Sequence, residues 1–229
     1  MSLFCLVHGS TQDPSGWDLL VPQLKKLGHD TVLVDLPVDQ PEASACVYAD
    51  YIADSINTDS NKPDGVIVVA HSASGLFLPL VPAKRPVARI VFLAAVVPQI
   101  GKSLLDQVRS EPDMMNPDWR GKNPIEDDRI AMEFLFHDCT PEVARWAMTT
   151  RRLLMAHQVM LEIFPLDQWP SVPCSSVVCT GDRTIQPEWS RRVARERLGV
   201  EPIELDAGHC PHVSCPGLLA QALDAIPVS

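Results

Sequence analysis

Gly65-Val66-Ile67-Val68-Val69-Ala70-His71-Ser72-Ala73-Ser74-Gly75 is the stretch on which the reading of this chain turns. Residues 65–70 are apolar and mostly β-branched, the pattern of a buried strand. Residues 74–81 then read as the beginning of a helix. A serine on a sharp strand-to-helix turn has the setting of a nucleophile elbow. In that turn the residues two before and two after the nucleophile must be small. Here they are Ala70 and Ser74, where the usual pattern has glycine. The turn would lift the Ser72 hydroxyl above the strand ends, at a helix N-terminus, where a developing oxyanion is stabilised. Against this stands the plainer reading of a strand, a turn and a helix with a serine there by chance.

Three more pieces lie outward from the elbow. Residues 4–7 read as a buried strand that ends at His8-Gly9-Ser10. A loop so placed can supply one oxyanion-hole N–H, from Ser10, with Gly9 allowing close backbone approach. Ala73, directly after the serine, would supply the other. Downstream, Thr180-Gly181-Asp182 follows a strand over 177–180, and Ala207-Gly208-His209 follows a strand over 201–205. Three strand ends can meet at one sheet edge, and the order Ser, Asp, His suits that arrangement. His209 would take the Ser72 proton, and Asp182 would hold the imidazole tautomer and its charge. After the strand that follows the elbow, Pro98-Gln99 offers no rival carboxylate, and Asp206 reads as a strand-end turn residue.

The remaining pattern fits this frame. Further strands are expected over 31–36 and 89–97, and helices over 17–27, 43–56, 189–198 and 216–225. Apolar strands alternating with helices predict an α/β fold, a mostly parallel sheet of about six strands covered on both faces. Residues 102–172 break the alternation and read as a helical insertion over the C-terminal edge of the sheet. Within it, Thr140-Pro141-Glu142 is a helix start, with helical character expected to run to Glu162. The 229 residues, 46% of them hydrophobic, are expected to form a single domain over 1–229.

The formal net charge of −10 argues against a nucleic-acid partner and against docking on an anionic membrane. No secretory leader is expected from residues 1–7, and no apolar run is long enough to span a bilayer. Seven cysteines, an odd number, fit reduced thiols and a cytoplasmic location. His209-Cys210-Pro211-His212 with Cys215 could suggest a metal site, but His209 already has a role and no ligand pair recurs. No metal is therefore expected. His71 reads as shaping the elbow.

On these residues the sequence resembles the plant methylesterase and hydroxynitrile lyase family of α/β-hydrolases, and its bacterial esterase relatives. The resemblance runs through Val7-His8-Gly9 with Trp17, Leu27-Gly28-His29, Asp35-Leu36 and Phe92-Leu93-Ala94-Ala95 with Pro98. It continues through Cys179-Thr180-Gly181-Asp182, Ile185, Pro187-Glu188-Trp189 and Gly208-His209 with Ser214 and Pro216. It implies the α/β-hydrolase fold, a helical cap forming an apolar pocket over the serine, and no metal or organic cofactor. It also implies a small-molecule ester substrate with a small or medium apolar or aromatic acyl group; homodimerisation is left open. The lyase branch carries Thr at the position of Gly9 and Lys at that of Cys210, and both departures favour ester cleavage. A lactonase, a C–C bond hydrolase or a ligand receptor on the same fold are the alternatives. Expected substrate-binding residues are Gly9, His71, Trp119, Phe134, Phe136 and Trp146, with Met114, Met115 and Met155 also in the cap.

Overall fold

A computed structural model describes residues 1–56, 65–154 and 156–227. Six strands form one sheet: β1 (Leu3–Val7), β2 (Asp30–Val34), β3 (Val66–His71), β4 (Arg89–Leu93), β5 (Cys174–Cys179) and β6 (Ile203–Leu205). Their order is β2-β1-β3-β4-β5-β6, and every pairing is parallel. The sheet thus takes the architecture expected from the alternation of apolar runs and helices.

Period-two alternation divides the central strands β1, β3 and β4 between two apolar layers. Cys5, Val7, Val68, Ala70, Ile90 and Phe92 face one core, packed with Tyr48, Ile52, Trp189 and Val193. Phe4, Leu6, Ile67, Val69, Val91 and Leu93 face the other, packed with Trp17, Leu24, Leu219 and Leu223. The helices Ala45–Ser55 and Pro187–Arg197 therefore cover the first face, and Val21–Lys26 and Pro216–Asp224 the second. In register, Val7 stands opposite Ala70 and His71 opposite Leu93, so β1, β3 and β4 end together. Strand order reverses at β1 and β3, the place where open α/β sheets leave a crevice for ligand.

Three expectations need correction. The strand over 89–97 stops at Leu93, because Ala94 adopts φ +43°, a left-handed conformation that ends pairing. After the elbow there is no continuous helix. Short 3₁₀ turns at Ser72–Leu76 and Leu78–Leu80 precede a brief helix, Val81–Lys84, because Pro79 and Pro82 remove helix donors. The helix expected over 140–162 is broken. Thr140 does cap Pro141–Ala147, with Val143 N–H on its Oγ1, but the chain then extends through Arg151 and resumes as a helix only at His157–Leu161.

That extended piece pairs with the loop after β1. Asp13 N–H donates to Thr150 O (2.9 Å), Arg152 N–H to Thr11 O (3.2 Å) and Leu154 N–H to Ser10 O (2.8 Å). Between β4 and β5 the other described elements are the helices Leu104–Ser110 and Asp128–Ile130, a π-helical turn at Ala131–Leu135 and 3₁₀ turns at Pro117–Trp119 and Met148–Thr150. No helix among the described residues is long and apolar enough to cross a membrane.

Candidate active site

β3 delivers Ser72 to the sheet edge with φ +55°, a left-handed conformation that costs a non-glycine residue about 1–3 kcal/mol. The surroundings hold it there. Ser72 O accepts from Val96 N–H at 3.0 Å, so the turn after β4 braces the elbow. At Gly75 an added Cβ would lie 2.0 Å from Val96 O, which leaves no room for any side chain. Ser74, one of the two small residues of the motif, is fully buried, and its hydroxyl donates to His8 O at 2.5 Å. The hydroxyl that replaces the usual glycine thus ties the elbow to the loop carrying Ser10.

His209 Nε2 stands 3.0 Å from Ser72 Oγ, and its Nδ1 stands 2.8 Å from Asp182 Oδ2. The two partners' side chains are each 3% exposed, so water competes little for the pair. The other carboxylate oxygen, Asp182 Oδ1, accepts from Thr184 N–H (2.7 Å), Thr184 Oγ1 (3.0 Å) and Ile185 N–H (3.1 Å). The Thr184 hydroxyl hydrogen lies on that oxygen. Its lone pair therefore faces His209 Nδ1, 2.8 Å away. Two acceptors at Nδ1 fix the proton there and leave the Nε2 lone pair toward Ser72. Asp206 is exposed, and its hydrogen-bond partner among the described residues is Thr180 Oγ1, at 3.5 Å.

His8 holds the neighbouring loop. Its Nδ1–H donates to Gly9 O (2.8 Å), and its Nε2 accepts from Leu36 N–H (3.2 Å). Burial pushes the His8 imidazole below its ordinary pKa, which keeps Nε2 an acceptor. Arg152, paired with Asp35, also reaches His8 Nε2 at 3.4 Å. Position 9 has little choice of residue: a Cβ there would lie 2.9 Å from His71 Nδ1 and 3.0 Å from Ser72 Cβ.

Above Ser72 opens a cavity of about 480 Å³. Ser10, Thr11, Ser72, Ala73, Thr184 and His209 contribute to it, so both expected oxyanion donors border the same space as the serine. Apolar walls come from Leu104, Leu105, Val108, Met114, Met115, Leu135, Met160 and Ile185, with Trp119, Arg120 and Lys122 from the loop after Met115.

Of the expected substrate-binding aromatics, only Trp119 lines this cavity. Phe134 packs on Trp119, with centroids 5.4 Å apart. Phe136 and Trp146 join an apolar cluster with Ala144, Ala147, Cys210 and Val213, and so are taken up in seating this segment on the His209 loop. Gly9 and His71 lie beside the elbow, outside the cavity lining. Met155 lies outside the described residues.

Several contributors went unread in the sequence. Thr184 follows Asp182 at the spacing of a local side-chain turn, which is a usable but faint signal. Asp138 Oδ2 accepts from Gly208 N–H at 2.6 Å, and His137 Nε2–H donates to Gly181 O at 3.1 Å. That dipeptide clasps the two loops that bear His209 and Asp182, and no local pattern announces it.

An all-parallel sheet with a strained serine at its edge, backed by an imidazole and a carboxylate, defines the α/β-fold hydrolases. A model of the alpha/beta hydrolase family matches residues 6–222, and the chain belongs to that family. An alpha/beta hydrolase, nvfD, from Aspergillus novofumigatus is 23% identical over 236 residues, covering 95% of this chain and 93% of that one. Among solved structures, polyneuridine aldehyde esterase is similar with a TM-score of 0.77 at 21% identity, covering 97% of this chain and 98% of its own. A pyrethroid hydrolase from Sphingobium faniae JZ-2 gives 0.75 at 18% identity, covering 97% and 95%.

Proposed function

We propose that this chain hydrolyses carboxylic esters of a small or medium apolar or aromatic acyl group, through an acyl-serine intermediate. The observation that carries this reading is the 3.0 Å approach of His209 Nε2 to Ser72 Oγ, with Nδ1 held by Asp182, at one cavity wall. His209 removes the hydroxyl proton as Ser72 Oγ attacks the ester carbonyl. Ser10 and Ala73 N–H receive the negative oxygen that forms. The alcohol departs with the proton from His209, and the acyl group stays on Ser72. A water molecule, deprotonated by the same imidazole, then releases the carboxylic acid and restores the serine.

Two further features support an ester. The cavity walls are chiefly aliphatic and thioether side chains, suited to an apolar acyl group. Cys210 is fully buried, with Sγ toward Gln12 Oε1, so no cation follows His209 to receive a cyanide leaving group. Solved structures of similar fold include proteins named as an esterase and a pyrethroid hydrolase. The test is a panel of aryl, alkyl and lactone esters offered to purified protein and to its Ser72→Ala variant. Turnover of open-chain esters, lost in the variant, is expected. Turnover of lactones alone, or turnover surviving in the variant, would overturn the proposal.

A further inference from the structure

Three buried rings pack beside His209. His71 lies 4.7 Å from His209 between ring centroids, His212 lies 4.7 Å from His71, and Trp17 lies 4.4 Å from His212. None of the three residues is more than 2% exposed. Each carries one nitrogen with no hydrogen-bond partner among the described residues: Trp17 Nε1, His71 Nδ1 and His212 Nδ1. Buried polar groups in proteins are rarely left so, and three in one cluster call for a common explanation.

The surrounding bonds settle what each nitrogen offers. The Thr150 hydroxyl donates to Ala147 O (2.9 Å), so its oxygen accepts from Gln12 Nε2 (3.0 Å). That fixes the Gln12 amide with Oε1 toward His212 Nε2, 3.0 Å away, which must therefore carry the proton. His71 Nε2 faces the His209 carbonyl at 2.8 Å and must likewise be the donor. Burial, the largest cause for both rings, pushes the His71 imidazole well below its ordinary pKa and that of His212 down to about 3. Both rings are neutral, so both Nδ1 atoms are acceptors, and Trp17 Nε1 can only donate. One donor and two acceptors are the complement of a single water molecule, which accepts one hydrogen bond and donates two.

We propose that one buried water molecule joins Trp17 Nε1, His71 Nδ1 and His212 Nδ1 and so completes a hydrogen-bonded chain that positions His209. The chain runs from Ala147 O through Thr150, Gln12, His212 and the water to His71, and ends on the His209 carbonyl. It ties the segment between β4 and β5 to the backbone of His209. His71 is covalently next to Ser72, so the nucleophile and its base share one anchor. Gly9 belongs to the same design: a side chain at that position would crowd His71 Nδ1, which lies 2.9 Å from where its Cβ would be. His71 and His212 are positioning residues, and the claim that they serve turnover rests on reading His209 as the base. The water itself does not.

A high-resolution crystal structure of the whole chain tests the water directly. A single water within about 2.7–3.2 Å of all three nitrogens is expected. Empty density there, or a direct bond between any two of the rings, overturns the proposal whatever the activity. Kinetics of His71→Leu and His212→Met test the positioning. Both are expected to lower kcat about tenfold with KM within about twofold, as small misplacements of a reacting group do. His71→Gln, which keeps a donor for the His209 carbonyl, should recover most of that loss. Should either variant fail to fold, Trp17→Phe removes the donor together with part of a fully buried ring, and is expected to show the same split with KM unchanged. Unchanged kcat in these variants overturns the positioning role. Unchanged turnover in His209→Ala would instead refute the proposed function and leave the water result standing.

Discussion

Thr184 is the residue whose replacement most sharply probes the geometry around His209. Thr184→Val keeps the shape and removes the hydroxyl that donates to Asp182 Oδ1 at 3.0 Å and faces His209 Nδ1 at 2.8 Å. A hydrogen bond to a charged group contributes about 1.5–3 kcal/mol. Two N–H donors remain on the same oxygen, from Thr184 and Ile185, and His209 Nδ1 keeps Asp182 Oδ2. The loss should therefore sit at the low end, about 1.5 kcal/mol, which is roughly tenfold in rate. The assay is kcat and kcat/KM on the best ester of the panel, with the rate of Ser72 modification by a fluorophosphonate measured in parallel. Both rates should fall together, and Thr184→Ser, which keeps the hydroxyl, should restore them. Activity of Thr184→Val within twofold of the parent, or Thr184→Ser as impaired as Thr184→Val, would refute the reasoning.

Asp182→Asn presents a donor where His209 Nδ1 needs an acceptor, and kcat should fall by roughly 10² to 10⁴. Asp206→Asn should change it little, and the reverse ranking would identify the wrong carboxylate. Gly75→Ala forces a Cβ to within 2.0 Å of Val96 O and should destabilise the fold by about 3 kcal/mol or more, read from urea unfolding; a change under about 1 kcal/mol would contradict the close approach. His212 stays neutral when folded down to about pH 3, whereas the unfolded chain protonates it near pH 6.5, so stability is full above pH 6.5 and is lost as pH falls toward 3. One such histidine removes about 2 kcal/mol between pH 7 and pH 5, and His212→Met should flatten that slope in urea unfolding at the two pH values; parallel slopes would contradict it.

The fold was legible because its central strands, β1, β3 and β4, are buried on both faces and so appear as nearly unbroken apolar runs between helices. Ser72 follows such a run, and Asp182 and His209 each follow a shorter strand, β5 and β6. What stayed hidden depends on contacts distant in sequence. The extended piece at Arg151 has helical spacing on either side, and its pairing with residues 10–13 has no local signature. Beside the expected Met114, Met115 and Trp119, the cavity walls went to Leu104, Val108 and Ile185, because Phe136 and Trp146 pack against the His209 loop instead. Gly75 drew no notice, since the elbow pattern weighs the residues two away from the serine, and the tight contact with Val96 appears only once β4 lies alongside.

The central claim is that Ser72 is the nucleophile, and covalent trapping tests it most directly. The chain is incubated with a fluorophosphonate, and the adduct is located by peptide mass mapping. One adduct on Ser72, absent in Ser72→Ala and formed far more slowly in His209→Ala, is the expected result. An adduct on Ser10 or Ser74, or no adduct while ester turnover continues, would contradict the account.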